Sequence, residues 1–198
     1  MISRWSLKIA KTICAREISS RSNIDALAYI FEIWFIRVSS FLCILALVLL
    51  RDVLMPKTIF HSLCFILYLV TLRKFAGGYH AKTHLGCLLI STISFFIGTS
   101  IVAPTLSRYF PVSFVLMAIC ICVVFIHAPY IHRNVYATSK MKVQLKIATR
   151  VTLVIQVISI LTFWYFELIG LASNAVSGML NATVFLLYAK YFTEEESR

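Results

Sequence analysis

The chain has 198 residues, 60 % of them hydrophobic and only 14 % charged, with a mean hydropathy of +0.88. That balance excludes an ordinary soluble domain, in which apolar residues make up about half, and the unbroken apolar runs exclude a β-barrel, whose strands alternate over roughly ten residues. The net charge of +11 comes without a nucleic-acid motif or an aromatic-rich basic groove, so the cations read as membrane-flanking rather than nucleic-acid-binding.

The N-terminal segment reads as an amphipathic interfacial helix. Ile2, Trp5, Ile9 and Ile13 recur at helical spacing, Arg4, Lys8 and Lys11 gather on another face, and Arg16 interrupts the apolar stripe. Its basic residues are spread out and no apolar h-region follows, which argues against a cleaved signal peptide. Anchoring the chain and docking a substrate are both open to such a helix. Ser22 and Asp25 then resemble a capping box, placing the start of a second helix near Asn23.

Six membrane spans follow, each near the ~20 apolar residues a bilayer requires. They are expected at 36–54, 59–72, 85–103, 112–128, 147–168 and 175–191. The second is short and must borrow flanking residues. The sixth carries Ser177, Gly178, Asn181 and Thr183, which suit close helix packing better than lipid. The expected fold is all-α: one polytopic membrane domain over 1–198.

Six spans place both termini on one side, together with the second and fourth loops. Of the nineteen Lys and Arg residues, only Arg51, Lys57 and Arg108 fall on the other side. This asymmetry puts the crowded side in the cytosol and suits contact with anionic inner-leaflet lipids.

The second loop, residues 73–87, holds the chemistry-bearing residues. It begins Arg73-Lys74-Phe75-Ala76-Gly77-Gly78 and continues through His80 and His84 to Cys87. Cys43, Cys64, Cys120 and Cys122 lie in apolar spans and Cys14 in the amphipathic segment, where a thiol acts as a small hydrophobe. Only Cys87 has imidazoles nearby. A reducing compartment keeps it a thiol, and a neighbouring His can take the thiol proton for acyl transfer.

Two histidines compete for that role. His84 precedes Cys87 by three residues, a neighbouring position on a helix. His80 precedes it by seven, which in a continuous helix means ~10 Å of rise. Gly77 and Gly78 favour a non-helical entry that would let His80 fold back, so residue spacing leaves both open.

His80-Ala81, with Cys87 seven residues after the His, resembles the catalytic loop of the AgrB family, membrane endopeptidases of Gram-positive quorum sensing. Ala128-Pro129, before the basic loop Tyr130-Ile131-His132-Arg133-Asn134-Val135, resembles that family's second loop, although a proline expected after the basic residues is missing. Tyr29-Ile30-Phe31-Glu32 loosely resembles a Tyr-x-x-Glu before the first span. The likeness extends over nearly the whole chain through size, span count and loop order.

The resemblance implies Cys87 as nucleophile and His80 as its base, with no cofactor. The substrate would be an AgrD-like pro-peptide at the inner leaflet, cut through a Cys thioester and cyclised to a thiolactone or lactone autoinducing peptide. A homodimer is suggested by the resemblance alone. Candidate substrate contacts are Arg73, Lys74, Gly77, Gly78, His84 and Glu32.

Two alternatives belong to other classes. His80, His84 and Cys87 at i, i+4 and i+7 would share one helix face and could ligate zinc, though Ala81 stands where a His-Glu-x-x-His protease has its glutamate. A small non-enzymatic transporter would need polar groups at mid-span, and beyond Ser and Thr the spans offer only Gln156 and Asn181.

Overall fold

The computed structural model describes residues 21–56, 58–78, 83–131 and 138–192. The expected N-terminal amphipathic helix, His80 and the stretch 132–137 lie outside the described residues, as do the side chains of Glu32 and His84. No strand occurs among the described residues. The helices are α1 (Arg21–Leu54), α2 (Ile59–Ala76), α3 (His84–Ile97), α4 (Ala103–Arg108), α5 (Phe110–His127), α6 (Ser139–Tyr165) and α7 (Ile169–Phe192), with a π-helical turn Gly98–Val102 joining α3 to α4.

Five stretches are long and apolar enough to cross a bilayer: Ile59–Ala76, Leu85–Arg108, Phe110–His127, Ser139–Tyr165 and Ile169–Phe192. They coincide with the second to sixth expected spans. The second gains its missing length from Arg73, Lys74, Phe75 and Ala76, and the fifth begins earlier than expected, at Ser139. The first expected span falls on α1, a single helix of 34 residues and so about 50 Å long.

Residues 1–49 and 50–198 form two compact units. In the larger one, α7 is the central helix although its hydropathy is the lowest of the five. Its small residues explain this. Gly178 lets α7 close on α2, since a Cβ there would collide with the Phe65 carbonyl and the Tyr68 Cβ, and Ser177 donates to the Gly98 carbonyl at 2.8 Å. Close approach and interhelical hydrogen bonds hold helices together where lipid provides no hydrophobic drive. The outer helices turn Phe60, Ile126, Ile155 and Ile158 outward, as a hydrocarbon solvent permits.

Gln156 bridges α6 to α2 by donating to the Tyr68 carbonyl at 3.0 Å and the Thr71 hydroxyl at 2.9 Å. The one mid-span amide of α6 is thus engaged in helix packing.

The end of this unit that carries the α1–α2 connection is organised by Arg51. Rather than flanking a span in solvent, it is 5 % exposed. It donates to Ser62 Oγ at 2.7 Å and to the Thr99 carbonyl at 2.8 Å. In the π turn, Ala103 N–H bonds back to Gly98 O. One residue on, the matching donor for Thr99 O would be residue 104, but Pro104 has no N–H. Arg51 supplies the missing donor from another helix. Asp52 completes this end by accepting from the backbone N–H groups of Thr58 and Ile59 at 2.8 and 3.2 Å, opening α2.

Candidate functional site

The opposite end of the unit holds the C-terminus of α2, the N-terminus of α3 and the segment after α5. The apolar run of α2 ends at Ala76 because Gly77 takes φ +82° and ψ −170°, a region essentially open only to glycine. Ala76 O accepts from Tyr130 N–H at 2.8 Å. The position a Cβ on Gly77 would occupy is filled by the Tyr130 carbonyl. The glycine turn is therefore docked, backbone to backbone, on the segment that follows Ala128-Pro129, whose peptide bond is cis. The two segments singled out in the sequence lie against each other.

Helix α3 begins at His84. Thr83, its N-cap, is extended (φ −122°, ψ 147°), and its hydroxyl accepts from Gly86 N–H at 3.1 Å while its carbonyl accepts from Cys87 N–H at 3.0 Å. Two consequences follow. The helix does not continue back through Thr83, so it carries His84 and Cys87 but not a shared face reaching back to His80, which lies outside the described residues. Among the described residues no group of three or more His, Cys, Asp or Glu could hold a metal ion. The Gly86 and Cys87 amides, natural candidates for an oxyanion hole at a helix start, are also already engaged by Thr83.

Cys87 sits on the first turn of α3, half-buried, where the positive end of the helix dipole favours an anion. The Arg73 guanidinium, from the last turn of α2, interacts with its sulfur electrostatically. Arg73 is held by α7: its guanidinium stacks 4.7 Å over the centre of the Phe185 ring, a cation–π geometry. A Cβ added to Gly78 would stand 3.5 Å from Phe185 Cβ and 3.6 Å from Arg73 Cγ, so that glycine closes against the same pair. Lys74 points away, exposed, with its ammonium 5.3 Å from the Phe75 ring centre.

Of the expected site residues, Arg73, Gly77, Gly78 and Cys87 are thus brought together, and Lys74 stays at the surface. His80 lies outside the described residues. For His84 only the backbone position at the start of α3 is described, and Glu32 belongs to α1, in the other unit. Sequence spacing had not paired Arg73 with Cys87, because the contact joins the end of one helix to the start of the next across a turn of unknown path. Tyr130 had been singled out only as part of a basic loop.

A family model described as accessory gene regulator B (AgrB) matches residues 5–189. The chain belongs to the AgrB family. Membership places it among membrane proteins of accessory gene regulator autoinducer processing and implies an AgrD-like pro-peptide as its partner. The match takes in both docked segments, the glycine turn before Cys87 and the Ala128–Tyr130 stretch. No curated protein and no solved structure matches the chain.

Proposed function

We propose that this AgrB protein is a membrane cysteine endopeptidase that cuts the C-terminal tail from an AgrD-like pro-peptide and passes the remaining acyl group to a nucleophile within the peptide. The observation that carries the reading is the pairing of Cys87 with Arg73 at the mouth of a glycine turn docked on the Ala128–Tyr130 segment. A structural thiol in an apolar span needs no cation. A nucleophilic one gains from it, because a guanidinium beside the sulfur stabilises the anionic form that attacks.

In this mechanism His80 takes the Cys87 proton and the sulfur attacks the scissile carbonyl. The tetrahedral oxyanion collapses, the peptide C–N bond breaks, and the leaving amine receives the proton from His80. Cys87 then carries a thioester. Attack by a thiol or hydroxyl inside the peptide releases a thiolactone or lactone and regenerates the thiol, whereas attack by water releases a linear acid. Exclusion of water therefore sets the product ratio. With the Gly86 and Cys87 amides engaged by Thr83, the Arg73 guanidinium is the donor best placed to meet the developing oxyanion. Lys74 and Glu32 stay candidate substrate contacts.

The test is tail release from a pro-peptide by the full chain in vesicles. Cys87→Ala is expected to abolish release while leaving membrane insertion intact. His80→Ala should lose ~10²–10⁴ in rate, the usual worth of general-base help, and His84→Ala should keep a substantial part. Tail release by Cys87→Ala would overturn the nucleophile assignment; an inactive His84→Ala beside an active His80→Ala would move the base to His84.

A further inference from the structure

A recess opens at the same end of the unit, between the C-termini of α5 and α7 and the first turns of α6. It has a volume of about 430 Å³ and is lined by Lys142, Lys146, Lys190, His127 and Tyr130 together with apolar residues such as Val143. Lys142 and Lys146 stand one turn apart on α6, so their side chains share a face. Lys190 comes from the last turn of α7 and places its ammonium 2.9 Å from His127 Nδ1.

An ammonium can only donate, so in this contact Lys190 gives the hydrogen bond and His127 Nδ1 accepts it. No carboxylate stands among the lining residues. Three cations and a histidine therefore share one recess with no anion among its described lining residues to balance them. The position fixes the depth. The uncharged part of α6 starts after Arg150, one turn beyond Lys146, the apolar run of α5 stops at His127, and Lys190 lies in the last turn of α7. All three helices change from apolar to polar at this level, the level of the headgroups.

We infer that this recess is a binding site for the phosphodiester headgroup of an anionic phospholipid, with Lys142, Lys146 and Lys190 on the phosphate and Val143 against the glycerol and upper chain. Basic pockets between helices at a membrane surface bind anionic headgroups in this way. The assignment does not rest on the peptidase reading, since no residue of the proposed chemistry lines the recess.

The test uses the full chain in a nonionic detergent, titrated with a fluorescent short-chain phosphatidylglycerol and, in parallel, with phosphatidylcholine. Phosphatidylglycerol should bind preferentially. Lys142→Gln/Lys190→Gln should weaken it roughly thirtyfold, the effect expected of removing two cations at an anionic surface. Lys140→Gln/Arg150→Gln, which removes the same charge from α6 outside the recess, should change it less than about threefold on the same scale. The single exposed change Lys146→Gln gives a second reading if the double variant fails to fold, and should weaken binding roughly fivefold.

Equal weakening by the two double variants would mean diffuse attraction and overturn the site. So would equal binding of phosphatidylcholine. Full displacement by millimolar inorganic phosphate would reassign the recess to free phosphate, and tighter binding of a polyglutamate peptide would reassign it to an acidic peptide.

Discussion

At the scale of single residues the informative pair is Arg73 and Cys87. A thiol on the first turn of a helix already feels the positive end of the dipole, and the guanidinium adds a full charge that interacts with it. Phe185 fixes that charge in place from α7. Arg73→Gln keeps some length and hydrogen bonding but removes the charge. It should cost roughly 10²–10³ in the rate of tail release, the usual effect of deleting one transition-state donor, and should also slow alkylation of Cys87 at neutral pH. Arg73→Lys keeps the charge without the planar fork, so it should fall between the two. Unchanged alkylation and turnover in Arg73→Gln would reduce Arg73 to a packing residue against Phe185. Cys87 could be picked out in the sequence because it alone had bases nearby. Its guanidinium partner could not, because fourteen positions with a turn inside them separate the two.

Helices and turns carry the next level. Gly77 combines a backbone region closed to other residues with a Cβ position already occupied by the Tyr130 carbonyl. Gly77→Ala should therefore cost at least the ~1–3 kcal/mol of such strain and pull the α2 end away from Tyr130. A lowered thermal midpoint together with lost tail release is expected; a variant as stable and active as the parent would show that the docking is dispensable. At the other end, Arg51 replaces the hydrogen bond that Pro104 cannot make. Arg51→Leu leaves the buried Thr99 carbonyl without its donor, a loss of ~1–3 kcal/mol. Pro104→Ala restores an N–H and should recover part of that loss, so the double variant should be more stable than the sum of the single effects allows. Strict additivity in thermal unfolding would break the link between the two residues. Span positions were legible from apolar run length, and the packing role of α7 from Ser177 and Gly178. Arg51 was read as a flanking cation, because run length says where a span ends but not whether its terminal residue turns inward. Pro104, in the stretch Leu85–Arg108, was the available signal, since every buried carbonyl it deprives must find another donor.

For the whole molecule the governing quantity is charge asymmetry. In the larger unit the Cys87 end collects Arg73, Lys74, Lys140, Lys142, Lys146, Arg150 and Lys190, whereas the described cations toward the other end are Arg51 and Arg108. Arg51 is buried on Ser62 and Thr99, which leaves Arg108 as the described cation standing outside that network. An excess of lysine and arginine in short loops favours retention in the cytosol, so the proposed site should meet its pro-peptide there. Three cysteine variants on a background lacking the native cysteines test this orientation. Thr138→Cys probes the Cys87 end just before α6, Tyr109→Cys probes the opposite end between α4 and α5, and restoring Cys87 alone probes the site. Thr138 and Tyr109 are both exposed, so a failure to label them reports the membrane and not burial in the protein. A membrane-impermeant maleimide on intact cells should label Tyr109→Cys and spare the other two. Once the membrane is opened, Thr138→Cys should react fully and the half-buried Cys87 more slowly. Labelling of Thr138→Cys in intact cells would invert the protein, and a pro-peptide at the inner leaflet would then face the wrong end of the bundle.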